Sequence, residues 1–134
     1  MPDQKLEIRD QNLTKKPNRE LKYRAFYLSL AIIKFIESLK YRPCLKIISD
    51  QLIRSVTSIG ANIVEAKSSS SKREFLHYFQ ISLKSSQESK YWLAFLKELY
   101  PQHIQTIQQF IQETEEISKV LSASVLTMKG KKRL

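Results

Sequence analysis

The chain is poor in everything that breaks or staples a fold: its 134 residues include two glycines, four prolines and one cysteine. So few turn formers leave little material for the repeated tight reversals of a sheet and suit a few long helices. One thiol, Cys44, permits no internal disulfide, which fits a cytoplasmic protein. At the start of a helix its thiolate would be favoured, but with no evident base partner it reads as a small buried hydrophobe. No run of about 20 apolar residues occurs, so neither a membrane span nor a membrane partner is expected. The opening MPDQKLEIRDQ alternates charge and polarity with no apolar stretch, unlike a secretory signal.

Catalytic and metal signatures are equally scarce. A di-iron bundle needs Glu-x-x-His on two helices, and this spacing occurs once, at Glu74 and His77; before His103 the matching position is Tyr100. There is no Gly-x-Ser-x-Gly, no glycine-rich phosphate loop and no zinc spacing. The expectation is therefore a non-enzymatic protein with no catalytic residue, no metal and no cofactor.

Positive charge, by contrast, is abundant. Lys and Arg number 23 against 13 Asp and Glu, a formal net charge of +10 with a pI near 9.8. The excess is uneven, with 11 Lys and Arg against 5 Asp and Glu in residues 1–46, and four more positive charges in Lys129-Gly130-Lys131-Lys132-Arg133. Such charge attracts polyanions, and a ring repeating it around one axis would sum the field. Lysines that only maintain solubility are the competing reading. The candidate nucleic-acid contacts are Lys15, Lys16, Arg19, Lys22, Lys67, Lys72, Arg73, Lys131, Lys132 and Arg133. They would touch phosphates, so sequence specificity would be weak.

The apolar spacing predicts four helices. Residues 1–17 are polar and of mixed charge, either a mobile arm or a segment ordered by a neighbouring subunit. Asn18 is a plausible cap for a helix over 19–39 whose stripe is Leu21, Ala25, Leu28, Ile32, Phe35 and Leu39. Tyr23, Phe26, Tyr27, Leu30 and Ile33 make the rest of that helix apolar too, which predicts a subunit interface; aromatics that merely cover the arm are the alternative. Pro43 opens a second helix over 43–66 with Leu52, Val56, Ile59, Ile63 and Ala66 on one stripe. Gly60, beside Ser58 and Ala61, marks close approach of another helix, since glycine there costs roughly 1 kcal/mol against alanine.

Lys67 to Ser71 is a short serine linker, which with Lys72 and Arg73 could also hold a phosphate at a helix start. Ser71 followed by Glu74 matches a capping box and starts a third helix over 72–99. Phe75, Phe79, Leu83, Leu93 and Leu96 share a face with Ser82, Ser86 and Ser89, small residues that let backbones approach. Tyr91, Trp92 and Phe95 widen the apolar surface for packing or a subunit interface. Arg54, Asn62, Glu65 and Glu88 flank the stripes and are expected to include a polar network between helices, unless they are simply solvated. A fourth helix over 102–128 presents Ile104, Ile107, Ile111, Leu121, Val125 and Met128, with Glu113, Glu115 and Glu116 read as a solvated acidic cluster. Residues 129–134 form a basic tail, expected to be disordered at its end.

The blocks Arg54-Ser55-Val56-Thr57-Ser58-Ile59-Gly60-Ala61-Asn62-Ile63-Val64-Glu65-Ala66, Ser71-Lys72-Arg73-Glu74-Phe75, Ile81-Ser82-Leu83-Lys84, and Glu88 with Tyr91-Trp92-Leu93 resemble the 23S rRNA intervening-sequence protein family, also called the four helix bundle protein family. Where that family often has glycine after Ala-Glu, this chain has Ala66-Lys67, similar to a subgroup that also carries Tyr-Trp-Leu. The resemblance implies an all-α, antiparallel up-and-down four-helix bundle in a small bacterial protein. It also implies assembly into a homo-oligomeric ring, typically a homopentamer, with no catalytic site. Two functions follow as expectations: a scaffold that binds RNA or DNA through basic charge, or a module that holds a partner protein encoded nearby.

Overall fold

A computed structural model describes the backbone of residues 20–133 and the side chains of residues 20–130. These residues form four α-helices and, among them, no strand: α1 (Leu21–Ser38), α2 (Pro43–Lys67), α3 (Lys72–Leu99) and α4 (Ile104–Arg133). A single 3-10 turn, Pro101–His103, leads into α4.

Each start has a local cause. Pro43 takes the first position of α2, where its missing N–H removes no helical bond. At α3 the Glu74 N–H donates to Ser71 Oγ at 3.1 Å, while the Glu74 carboxylate accepts from the Ser70 N–H at 3.3 Å. The carboxylate thus reaches one residue beyond the expected partner. The first helix begins two residues later than expected, with Glu20 at its N-cap; Asn18 and the arm over 1–17 lie outside the described residues. At the other terminus α4 runs on to Arg133, so the backbone of the expected basic tail is helical through that residue.

Cross-helix contacts give the topology. Down α2, Ser55, Ser58 and Ile59 pair with Ser89, Ser85 and Ser82 of α3, so one number rises as the other falls and the helices are antiparallel. The same inversion links Ser86 and Lys90 of α3 to Ser118 and Glu115 of α4. Each helix packs chiefly on its neighbours in order, and α1 closes the bundle against α4. Of these contacts α2 with α3 is the most extensive and α1 with α4 the sparsest.

The α2 stripe of Leu52, Val56, Ile59, Ile63 and Ala66 is wholly buried, as expected. So are Ala25, Leu28, Ile32 and Phe35 of α1. Gly60 does mark a close approach: a Cβ there would lie 3.4 Å from Ala25 Cβ, and nearby the Ser29 hydroxyl donates to the Val56 carbonyl at 3.0 Å. In α4 the core face is rotated from the expected one. Ile107, Phe110, Ile117, Leu121 and Val125 are buried, Ile104 is exposed, and Ile111 and Met128 are half-buried. The expected stripe missed Phe110 and Ile117, and Thr114 and Ser118 complete the buried face between them.

Serine fills the tightest seam. Ser82 donates to the Ile59 carbonyl at 2.8 Å, Ser89 to Ser55 at 3.0 Å and Ser85 to Ser58 at 2.9 Å. Satisfied hydroxyls of this kind cost little to bury and hold the helices near. Ser82→Leu should therefore cost about 1–3 kcal/mol by overpacking. Gly60→Ala, whose added methyl meets Ala25 at ordinary contact distance, should be neutral or stabilising by up to about 1 kcal/mol. Urea unfolding of the two variants checks both values.

Candidate nucleic-acid interface

An up-and-down bundle places the start of α1, the α2–α3 linker and the end of α4 at one end. Three stretches of candidate cations far apart in sequence meet there. Lys22 is in the first turn of α1, Lys67, Lys72 and Arg73 flank the serine linker, and Lys131, Lys132 and Arg133 belong to the last turn of α4. Lys15, Lys16 and Arg19 lie outside the described residues. Lys129, not among the expected contacts, joins the group from the same end of α4.

Four of the described cations are uncommitted. Lys67, Lys72, Arg73 and Lys129 are exposed, and the described side chains offer them no ion pair or hydrogen bond; Lys22 lies over the Tyr23 ring at 5.2 Å. At the opposite end the exposed Lys40 is likewise without a partner among the described side chains, but two other cations are engaged. Arg42 donates to the Leu99 carbonyl at 2.5 Å and sits over the Tyr100 ring at 5.4 Å, while Lys46 pairs with Asp50 at 3.2 Å. The Tyr100 hydroxyl donates to the Lys40 carbonyl at 2.9 Å and so ties the two loops of that end together. Burial raises the Tyr100 phenol above its ordinary range, keeping it a donor.

At the expected phosphate site at the start of α3 the chain itself takes two of the local N–H groups, Ser70 to the Glu74 carboxylate and Glu74 to Ser71 Oγ. Lys72 and Arg73 add exposed side-chain charge there. Between the helix ends lies an open cleft of about 660 Å³ lined by Leu21, Ile63, Phe75, Phe79, Val120 and Met128, with Glu20, Lys67, Ser124 and Thr127 at its polar positions. α1, with 18 residues, is ten shorter than α3, a difference of about 15 Å at 1.5 Å per residue.

The expected network does not join Arg54, Glu65 and Glu88; of the four, Asn62 alone belongs to a cross-helix chain, through Ser58 to Ser85 of α3. Arg54 is exposed and bonds to Gln51, Glu65 is exposed, and the exposed Glu88 accepts from the Trp92 indole at 3.0 Å. Asn62 donates to the carbonyl and hydroxyl of Ser58, one turn before it. Arg54, Glu65 and Glu88 face solvent, where water solvates their charges more cheaply than a buried partner would, whereas Asn62 is half-buried. The buried pair is instead Arg24 with Glu113, bidentate at 2.9 and 2.7 Å, their side chains 12% and 4% exposed. Glu113 is therefore not part of a solvated acidic face. The two positions are 89 residues apart, so the pairing had no local signal, although an arginine set inside an apolar helix was a hint.

Burial raises the Glu113 carboxyl above its ordinary range, against the hydrogen bond and charge of Arg24. The same hydrogen bond raises the Arg24 guanidinium. The described residues hold no group of three or more His, Cys, Asp or Glu able to enclose an ion.

The apolar candidates form two outer surfaces. Tyr23 and Phe26 are exposed, the latter by 57%, and Phe26, Leu30, Ile33 and Val64 line a groove of about 280 Å³ between α1 and α2; Tyr27 is half-buried, its ring 5.2 Å from that of Phe26. On α3 the rings of Tyr91, Trp92 and Phe95 lie 4.9 to 5.6 Å apart, with Tyr91 and Phe95 exposed and Trp92 half-buried. No described helix is long and apolar enough to cross a membrane.

Glu113→Ala should cost up to about 3–5 kcal/mol by leaving Arg24 unpaired, whereas Arg24→Met with Glu113→Leu should be near neutral. A carboxyl raised in the folded state holds its proton to higher pH than in the unfolded chain. Its stabilising contribution is thus complete below the unfolded value and is lost as pH rises through the folded one. On lowering the pH from 7 towards 5, the native chain should gain stability relative to Glu113→Gln, as read by denaturant midpoints.

Comparison with known proteins agrees with the architecture. A protein of unknown function from the S23 ribosomal protein family of Bacteroides thetaiotaomicron VPI-5482 has a similar crystal structure, with a TM-score of 0.70 and 27% identity over 79% of this chain and 98% of that one. No curated protein matches the sequence significantly. The family model for the 23S rRNA-intervening sequence protein matches residues 18–123, most of the bundle, and the chain belongs to that family.

Proposed function

We propose that this protein is a non-enzymatic oligomeric scaffold that binds RNA or DNA by its phosphates, through the basic end of the bundle and with little sequence preference. The observation that carries this reading is the gathering of Lys67, Lys72, Arg73 and Lys129 at one end with no ionic partner among the described side chains, while Arg42 and Lys46 at the other end are engaged within the chain. Unpaired surface cations release counterions when they meet phosphates, which is the main source of weakly specific affinity.

Self-assembly into a homo-oligomeric ring, a homopentamer by the family resemblance, is supported by the exposed apolar surfaces of α1 and α3. Apolar surfaces of this kind exceed what a monomer's solubility favours. A ring of bundles set side by side would bring several basic ends to one face and multiply their field. The groove between α1 and α2 favours a second reading, in which a nearby-encoded protein docks there and no nucleic acid is bound.

The test is solution mass at low and high salt, with absorbance at 260 nm for retained nucleic acid, followed by binding of a labelled RNA. Affinity should fall steeply with salt, and Lys67→Glu with Lys72→Glu and Arg73→Glu should weaken it about ten-fold or more at roughly 0.1 M salt and flatten the salt slope. Lys40→Glu, at the opposite end, should change it far less. Affinity insensitive to salt and to the triple change would sink the reading.

A further inference from the structure

The open end holds two features that the phosphate reading leaves unused: a largely apolar cleft and a half-buried aromatic ring lining it. Phe75 lies against Phe79 with ring centroids 4.5 Å apart, and the buried Phe79 backs it from the core. The floor is aliphatic, from Leu21, Ile63, Val120 and Met128. At about 660 Å³ the cleft lies within the roughly 300–1,000 Å³ of small-molecule sites and has room for one nucleobase.

A cation stands on its border. Lys67 lines the cleft directly; Lys72 and Arg73 line an adjoining hollow that shares Met128 with it. Apolar walls with uncommitted cations on one side match a ligand that is flat and apolar at one point and anionic on either side of it. Glu20 is the one carboxylate lining the cleft, on the side of α1, and would turn phosphates towards the side of α2 and α3.

We propose that this cleft receives one unpaired base of a single-stranded nucleic acid, set against Phe75, with the flanking phosphates on Lys67, Lys72 and Arg73. The proposal rests on the nucleic-acid reading above and adds the form of polymer that is bound. Bases of a duplex are stacked inside the helix and cannot enter, so the cleft selects single strands, loops or frayed ends. The hydroxyls of Ser124 and Thr127 both donate and accept, so they satisfy the edge of any base without choosing among them. An apolar peptide would fill the same walls but leave the cations unmatched.

The experiment is fluorescence anisotropy of the full chain with a labelled single-stranded RNA and with a duplex of the same sequence. Two variants alter the cleft in opposite ways: Phe75→Leu removes the ring, and Ala123→Leu narrows the space from an exposed lining position. The single strand should bind more tightly than the duplex. Each variant should lower its affinity about five-fold or more, the loss of one base stack, and leave duplex affinity nearly unchanged. Ala123→Leu keeps the test open should Phe75→Leu fail to fold, which circular dichroism will show.

Equal affinity for both forms, or single-strand affinity unmoved by both variants, overturns the proposal. In those cases the triple charge variant decides separately whether the phosphate reading stands. An unmoved affinity, with a naphthalene sulfonate dye unable to enter the native cleft, assigns the cleft to a protein segment and overturns it too. Failure of both nucleic acids to bind removes the two readings together.

Discussion

The close contact of α2 with α3 is the constraint on which the bundle depends. Two helices of 25 and 28 residues lie antiparallel along a seam where Ser55, Ser58, Ser82, Ser85 and Ser89 stand in place of larger side chains. A seam of small residues gains dispersion contact between backbones, and it is tolerable only because each hydroxyl has a partner. The α1–α2 crossing repeats the device with Ala25, Ser29 and Gly60. The long apolar side chains then point to the centre, where Leu28, Ile32, Ile59, Leu93, Phe110 and Ile117 fill the core.

The α1–α4 contact is of another kind. It is the sparsest of the four, and it holds the buried Arg24–Glu113 pair together with the contacts of Phe35 against Phe110 and His103. A buried ion pair adds little net stability because desolvation offsets the attraction, yet breaking it is costly. Such a pair therefore fixes the position of the short α1 more than it strengthens the fold. The two ends of the bundle differ. Tyr100 and Arg42 tie the loops of one end together, whereas at the other an open cleft lies beside lysines with no ion pair among the described side chains.

Much of the fold was legible in the sequence because its causes are local. The stripe of Leu52, Val56, Ile59, Ile63 and Ala66, the Ser71–Glu74 cap, Pro43 at a helix start and the demand of Gly60 for a close neighbour are set by residues within one or two turns of each other. Where the reading failed, the deciding contact was remote or rotational. The α4 core face was misjudged because its polar residues Thr114 and Ser118 are buried and hydrogen-bonded, which masks the apolar period around Phe110 and Ile117. Glu65 and Glu88 sit beside apolar stripes in the sequence yet are exposed, since water solvates a carboxylate more cheaply than an unpartnered helix interface does.

By itself, then, the sequence determined an all-helical chain, its four segments, most of its core and a strong positive charge, since propensity, capping and periodicity act over a few residues. Tertiary structure decided which charges matter. It buried Glu113 against an arginine 89 positions away, committed Arg42 to the backbone, and carried Lys22, Lys67, Lys72, Arg73 and Lys129 to one end. The physical reason is that local rules set which face of a helix is apolar, but only the packing of antiparallel helices sets which ends meet and which lengths fall short.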